Sequence, residues 1–159
     1  MTFSHYRALS LSCLGKRTIK TGIEKKQQLK GSAMPTPAKT IENYFDAIRR
    51  KDADAWVACF ADDAVAFDPA HTPARRGQDA HRAFFEGVAG QFSELNFQPG
   101  EPFVCGNRAA VNFTAQCRAR NGRQAEVQGI DVFHFDDNGN IAQLEGYWDP
   151  APLFIAAGA

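Results

Sequence analysis

Three side chains in this sequence have the type and the setting to move protons. Asp131 stands within Gly-Ile-Asp-Val-Phe, in an alternating run that puts Phe133 and Phe135 on its own side. A carboxyl on such an aromatic face is costly unless it is hydrogen-bonded or uncharged. Asp68 follows Phe67 and precedes Pro69; proline disfavours the α region for the residue before it, so Asp68 belongs to an extended strand end. Tyr44 falls on the apolar stripe of a helix. Two carboxyls and a phenol aimed at one apolar interior are the material of proton transfer. Each also has a structural reading: Tyr44 as a core tyrosine with a satisfied hydroxyl, Asp68 as a turn-forming residue before proline. Asp131, mid-strand among aromatics, has the fewest structural excuses and reads as a pocket residue.

The elements that must position these groups follow from periodicity. Thr36-Pro37 signals a helix start, and Ile41, Tyr44, Phe45 and Ile48 recur at i, i+3, i+4 and i+7. Asp52 or Asp54 caps a second, shorter helix in which Trp56, Cys59 and Phe60 share a side, before Asp62 and Asp63 break it. Residues 65–67 form a short strand. A loop with the basic pair Arg75 and Arg76, read as solvated charges, leads to a third helix with Phe84, Phe85, Val88 and Phe92 inward. Strands are expected over 95–98, 102–105, 108–120, 123–135 and 141–148. Asn121-Gly122 suggests a two-residue type I′ hairpin, which pairs Arg120 with Arg123 and sets Thr114 opposite Gly129 and Asn112 opposite Asp131. In that register Asn112, Thr114, Gln116 and Arg118 share the face of Asp131 and form a polar wall. A β-bulge between Arg108 and Arg120 would instead turn Val111, Phe113, Ala115 and Cys117 inward. The pattern describes an α+β fold: three N-terminal helices packed in the hollow of a curved, mostly antiparallel sheet, with a pocket between.

Composition bounds the rest. The 159 residues are 44% hydrophobic and 23% charged, a globular mixture sufficient for one core. Lysine plus arginine equals aspartate plus glutamate at 18 each, so no basic surplus points to nucleic acid. Up to Ala33, five lysines and two arginines meet one acid, Glu24, which gives that segment about +6 and the remainder about −6. Residues 1–35 read as a disordered basic tail, with a transit peptide or an upstream extension before Met34 as alternatives. The domain is expected over 36–150 and a C-terminal tail over 151–159. Cys13, Cys59, Cys105 and Cys117 lack metal-site or disulfide-framework spacing and read as buried free thiols. No apolar run approaches the roughly 18 residues that cross a bilayer, so a soluble, cytoplasmic protein without a membrane partner is expected. His71 reads as a loop residue, and His81 and His134 as surface or interface residues.

On these residues the chain resembles the ketosteroid isomerases, within the larger group similar to nuclear transport factor 2 and the SnoaL polyketide cyclases. The resemblance runs without a gap from Tyr44-Phe-Asp-Ala-Ile to Phe60-Ala-Asp-Asp-Ala-Val-Ala-Phe-Asp68-Pro, resumes at Ile130-Asp-Val-Phe133, and covers roughly residues 36 to 148. It implies a cystatin-like cone, a homodimer through the outer face of the sheet, and a steroid Δ-isomerase-like activity that needs no cofactor and no metal. It further implies that Asp68 is the general base, while Tyr44 and a protonated Asp131 donate hydrogen bonds to a dienolate oxygen, the division of labour for which this family is itself the worked example. Phe67, Phe85, Phe133, Trp148 and Thr114 are the expected contacts of a small carbonyl or steroid-like ligand. Phe85 stands where the family carries a second tyrosine. A SnoaL-type cyclase or hydrolase using Asp68, and a non-catalytic binding or assembly module, are the alternatives, because this fold hosts many functions.

Overall fold

In the computed structural model, which describes residues 34–158, the helices open the domain as their caps dictate. Helix α1 (Pro37–Arg50) starts at Thr36, whose side chain accepts a hydrogen bond from Lys39 N at 3.3 Å, and stops where Lys51 takes a left-handed conformation. Its stripe of Ile41, Tyr44, Phe45 and Ile48 is buried. Helix α2 (Ala53–Val57) is capped by Asp52, which accepts from Ala55 N at 2.9 Å. Trp56 and Val57 turn into the core, but Phe60 already belongs to strand β1 (Phe60–Phe67), which extends further back than 65–67. A two-residue strand, β2 (Arg75–Arg76), precedes α3 (Gly77–Gln91). Phe92, expected on that helix, instead begins β3 (Phe92–Pro99).

Four further strands complete a mixed sheet: β4 (Phe103–Cys105), β5 (Arg108–Ala119), β6 (Gln124–Phe135) and β7 (Ile141–Trp148). The order is β2-β1-β7-β6-β5-β3, with β4 also on β5; β1 runs parallel to β7 and every other pair is antiparallel. The helices pack on the concave face, where Phe45, Trp56, Phe133, Ile141 and Leu144 form the driest part of the core.

The β5–β6 turn differs from the two-residue reading by one residue. Gly122 N donates to Ala119 O at 2.9 Å, Ala119 N donates to Arg123 O at 2.8 Å, and Gly122 has φ 87°. Among the described residues Lys51 alone combines a side chain with positive φ, so Asn121 does not adopt the type I′ geometry. The connection is a three-residue loop: a type I turn followed by a left-handed glycine. Asn-Gly fits both turns, and the burial of the apolar series decides between them. Asp131 now pairs with Val111, and Asn112 with Ile130. Because side chains alternate with period two, that single step moves Val111, Phe113, Ala115 and Cys117 into the core and Asn112, Thr114, Gln116 and Arg118 out to solvent. The polar wall does not exist.

Residues 151–157 depart from the expected tail. They form helix α4 (Ala151–Ala157), which buries Leu153 and Ala156. The hairpin tip holds this helix by its last carbonyls: Asn121 Nδ2 donates to Ala156 O at 2.9 Å and Arg123 NH1 to Ile155 O at 3.0 Å. Of the cysteines, Cys59 and Cys117 are buried and Cys105 is exposed. Cys13 and residues 1–33 of the basic tail expected over 1–35 lie outside the described residues. No helix among the described residues is long and apolar enough to cross a membrane.

Candidate active site

Between the helices and the sheet lies a cavity of about 130 Å³ that Tyr44, Asp68 and Asp131 all line. Helix α1 brings Tyr44, the end of β1 brings Asp68 and the middle of β6 brings Asp131, all buried. Apolar side chains from α3 (Phe84, Phe85, Val88), from β3 (Leu95, Phe97) and from α4 (Leu153, Phe154) supply most of the remaining wall.

The two carboxyls sit in unequal surroundings. Asp68 Oδ1 accepts from Trp148 Nε1 at 2.6 Å, and Oδ2 accepts from Arg75 NH2 at 3.4 Å. Burial pushes the Asp68 carboxyl upward from its ordinary pKa, while Arg75 and the Trp148 hydrogen bond pull it back. Asp131 has no such donors among the described residues. Burial, with the neighbouring Asp68 second, holds it well above the carboxylate range, while Asp68 has donors that oppose its own upward shift. Tyr44 is likewise held well above a free phenol, chiefly by burial, with Asp131 and Asp68 adding to the shift. The cavity thus holds two carboxyls in unequal surroundings beside a buried phenol.

Backbone chemistry makes this crowding feasible. Asp131 pairs with Gly146 on β7, and a Cβ at Gly146 would lie 2.5 Å from Asp68 Oδ1 and 2.9 Å from Trp148 Nε1. Only a residue without a side chain lets Asp68 lie across β7.

The expected ligand contacts divide. Phe85 and Trp148 line the cavity. Phe133 is fully buried behind Tyr44, their ring centroids 5.3 Å apart edge to face, and braces the phenol without reaching the cavity. Phe67 faces away because it alternates with Ala66 and Asp68, and it lines a groove on the outer side of the sheet. Thr114 is exposed on the convex face, as the hairpin register requires. Two other expectations are overturned. Arg75, read as solvated, is largely buried against Asp68 and Phe84. His81, read as a surface residue, is fully buried, with its ring against Phe60 at 4.6 Å between centroids. Sequence reading also missed Gly146 and the α4 wall. An isolated glycine in a strand was the available signal for the first, whereas Leu153 and Ala156 form too short a pattern to announce a helix. Among the described residues no group of three His, Cys, Asp or Glu side chains is arranged to hold a metal ion.

A helix-filled curved sheet with acids converging on its hollow defines a class, and the family comparison agrees: residues 41–144 match the SnoaL-like domain, and the chain belongs to that family. The steroid Delta-isomerase of Nocardioides simplex is 27% identical over 115 residues, which span 72% of this chain and 91% of that protein. Among solved structures, an NTF2-like protein of unknown function from Burkholderia pseudomallei is 25% identical with a TM-score of 0.66, covering 77% of this chain and 98% of its own. A Mycobacterium tuberculosis protein in complex with estradiol-17β-hemisuccinate has the same TM-score at 23% identity, over 74% of this chain and 97% of that one. The fold is therefore NTF2-like: an α+β cone with its helices in the hollow of a mixed sheet.

Proposed function

We propose that this protein is an isomerase that shifts a carbon–carbon double bond next to a carbonyl by intramolecular proton transfer. Asp68 takes a proton from the carbon α to the carbonyl, and the electron pair moves into a dienolate. Tyr44 and the protonated Asp131 donate to the dienolate oxygen, and Asp68 returns its proton to the γ carbon. Atoms and electrons balance without a co-reactant. The observation that carries the reading is the asymmetry of the acids: one carboxyl held by Trp148 and Arg75 and one without such donors among the described residues face the same apolar cavity beside a phenol. A base as weak as a carboxylate can work on a C–H bond only with oxyanion donors in place beforehand, each worth about 3–4 kcal/mol. The inward apolar series of β5 gives the hollow an apolar lining that suits a hydrocarbon skeleton, and the similarity to a steroid Delta-isomerase supports the same chemistry.

The cavity's 130 Å³ is small beside the roughly 300–1,000 Å³ of common ligand clefts, which favours a compact carbonyl compound over a four-ring one. The test follows the ultraviolet absorbance of the conjugated enone formed from a Δ5-3-ketosteroid and, in parallel, from a monocyclic β,γ-unsaturated ketone. Turnover of either probe, lost in Asp68→Asn, is the expected result. A wild-type protein inert toward both overturns the isomerase reading.

A further inference from the structure

Arg75 is an unexpected charge to find here. Its side chain is 15% exposed, its guanidinium carbon lies 3.5 Å from the Phe84 ring centroid, and the far face of that wall is the cavity. Strand pairing sets Arg75 opposite Ala66, two residues before Asp68. From there NH1 donates to the Asp68 carbonyl oxygen at 3.1 Å and NH2 to Asp68 Oδ2 at 3.4 Å. A guanidinium taken out of water costs several kcal/mol unless it finds an anion and further contacts, and Asp68 and Phe84 supply them. Arg75 does not itself line the cavity.

With Trp148 on Oδ1, the carboxyl of Asp68 is held at both oxygens. Asp131, on the same cavity, receives neither donor. Two buried carboxyls at one site would otherwise compete for the single proton that such a pair retains. We propose that Arg75 is a positioning residue that assigns the two acids their roles: acting from behind the wall, it fixes Asp68 in one orientation as the charged member and leaves the proton on Asp131. The proposal rests on the isomerase reading for its purpose, but not for its test.

The groups that face Asp68 are few. Helix α1 presents Tyr44, β6 presents Asp131, β2 presents Arg75 and β7 presents the Trp148 indole; on α3, His81 lies within reach of Arg75 and is held uncharged down to a pKa of about 4 by burial first and by Arg75 second. Above that value His81 is uncharged, and Arg75 is the one nearby cation among these groups.

The Trp148 indole N–H, bonded to Asp68 Oδ1, reports the charge on Asp68 without any turnover. Its cross-peak in a proton–nitrogen correlation spectrum of the full chain, identified by its loss in Trp148→Phe, is followed from pH 4 to 9. Arg75→Met, which keeps the apolar stem, and Arg75→Gln both raise the inflection by about one pH unit or more, the scale of a lost Asp–Arg contact. Arg75→Lys, which restores a charge, brings it back toward wild type. If neither uncharged variant moves the inflection, or if lysine moves it as far as methionine does, the assignment fails. A chain that isomerises neither probe would still give this answer. An active isomerase with an unmoved inflection would sink the role of Arg75 alone.

Discussion

Gly146→Ala is the sharpest single probe of the site, because it adds one carbon where two side chains already meet. A Cβ at Gly146 falls 2.5 Å from Asp68 Oδ1, 2.9 Å from Trp148 Nε1 and 3.2 Å from Asp68 Cγ. Ordinary contact begins near 3.4 Å, so Asp68 Oδ1 must retreat by about 0.9 Å and the 2.6 Å hydrogen bond from Trp148 must lengthen or break. The retreat is opposed on the other side by Arg75 and by the backbone bond from Ala70 N to Gly146 O. A misplacement of about 1 Å at a reacting group costs on the order of 100-fold in rate, and overpacking a tight site costs about 1–3 kcal/mol. The expected result is a roughly 100-fold fall in kcat with little change in KM, a midpoint shift in urea that corresponds to that energy, and a displaced Trp148 indole resonance. Gly87→Ala is the control: nothing lies within 4 Å of its Cβ, it sits in α3, and it gains roughly 0.5–1 kcal/mol as a helical Gly-to-Ala change. If Gly146→Ala leaves both the Trp148 resonance and the stability at wild-type values, the close approach of Asp68 to β7 is wrong, and with it the geometry of the base.

Tyr44→Phe keeps the ring against Phe133 and Trp56 but removes the proposed oxyanion donor, and should lower kcat on an active probe by about 100- to 1,000-fold; equal kcat values would exclude the phenol from the reaction. His81 should make the fold acid-sensitive. Its folded pKa of about 4 lies below the usual 6.5, so the unfolded chain binds the extra proton, and stability fully present above pH 6.5 is lost as pH falls toward 4, by up to about 3 kcal/mol. The raised carboxyls of Asp68 and Asp131 work in the opposite sense, so the comparison to make is denaturant unfolding of wild type and His81→Leu at pH 7 and 4.5; parallel losses would refute the role of His81. Leu153→Ala opens the α4 end of the cavity and should tighten binding of a four-ring ketone relative to a monocyclic one, measured by quenching of tryptophan fluorescence. The homodimer implied by family resemblance would use the convex sheet face, where Ile130 and Tyr147 pair side by side and stay about half exposed; Ile130→Asp should then shift the sedimentation coefficient from dimer to monomer, and a wild-type monomer would dispose of the idea.

The fold was readable because its signals are local and redundant. Thr36-Pro37 and Asp52 cap as their side chains demand, and the α1 stripe and the long alternating strands are periodic over enough residues to be unambiguous. Tyr44, Asp68 and Asp131 could be chosen for the same reason: each is a polar group on a face that periodicity makes apolar. Thr114 could not be placed, since Asn121-Gly122 satisfies two turns that differ by one residue, and the choice is made by burial across the whole hairpin. Arg75 was misread because a loop arginine is ordinarily solvated, and only pairing of β2 with β1 brings it to Asp68. His81 was misread because a helical histidine is ordinarily solvated, although Phe84 and Phe85 at i+3 and i+4 put it on the inward stripe, where its ring meets Phe60 and Trp56.

The β5–β6 turn has a reach that its exposed position conceals. Its three residues match the register in which Val111, Phe113 and Ala115 look into the hollow, and through Asn121 and Arg123 it also anchors the helix that ends the cavity. A turn one residue shorter would favour Asn112, Thr114 and Gln116 on the inner surface, a register that the apolar series of β5 now opposes by its burial. In a lineage of such domains, a change of loop length coupled to a new apolar pattern on β5 is thus a route to a new ligand that leaves Tyr44 and Asp68 untouched, and a designer seeking a polar pocket would begin at the turn.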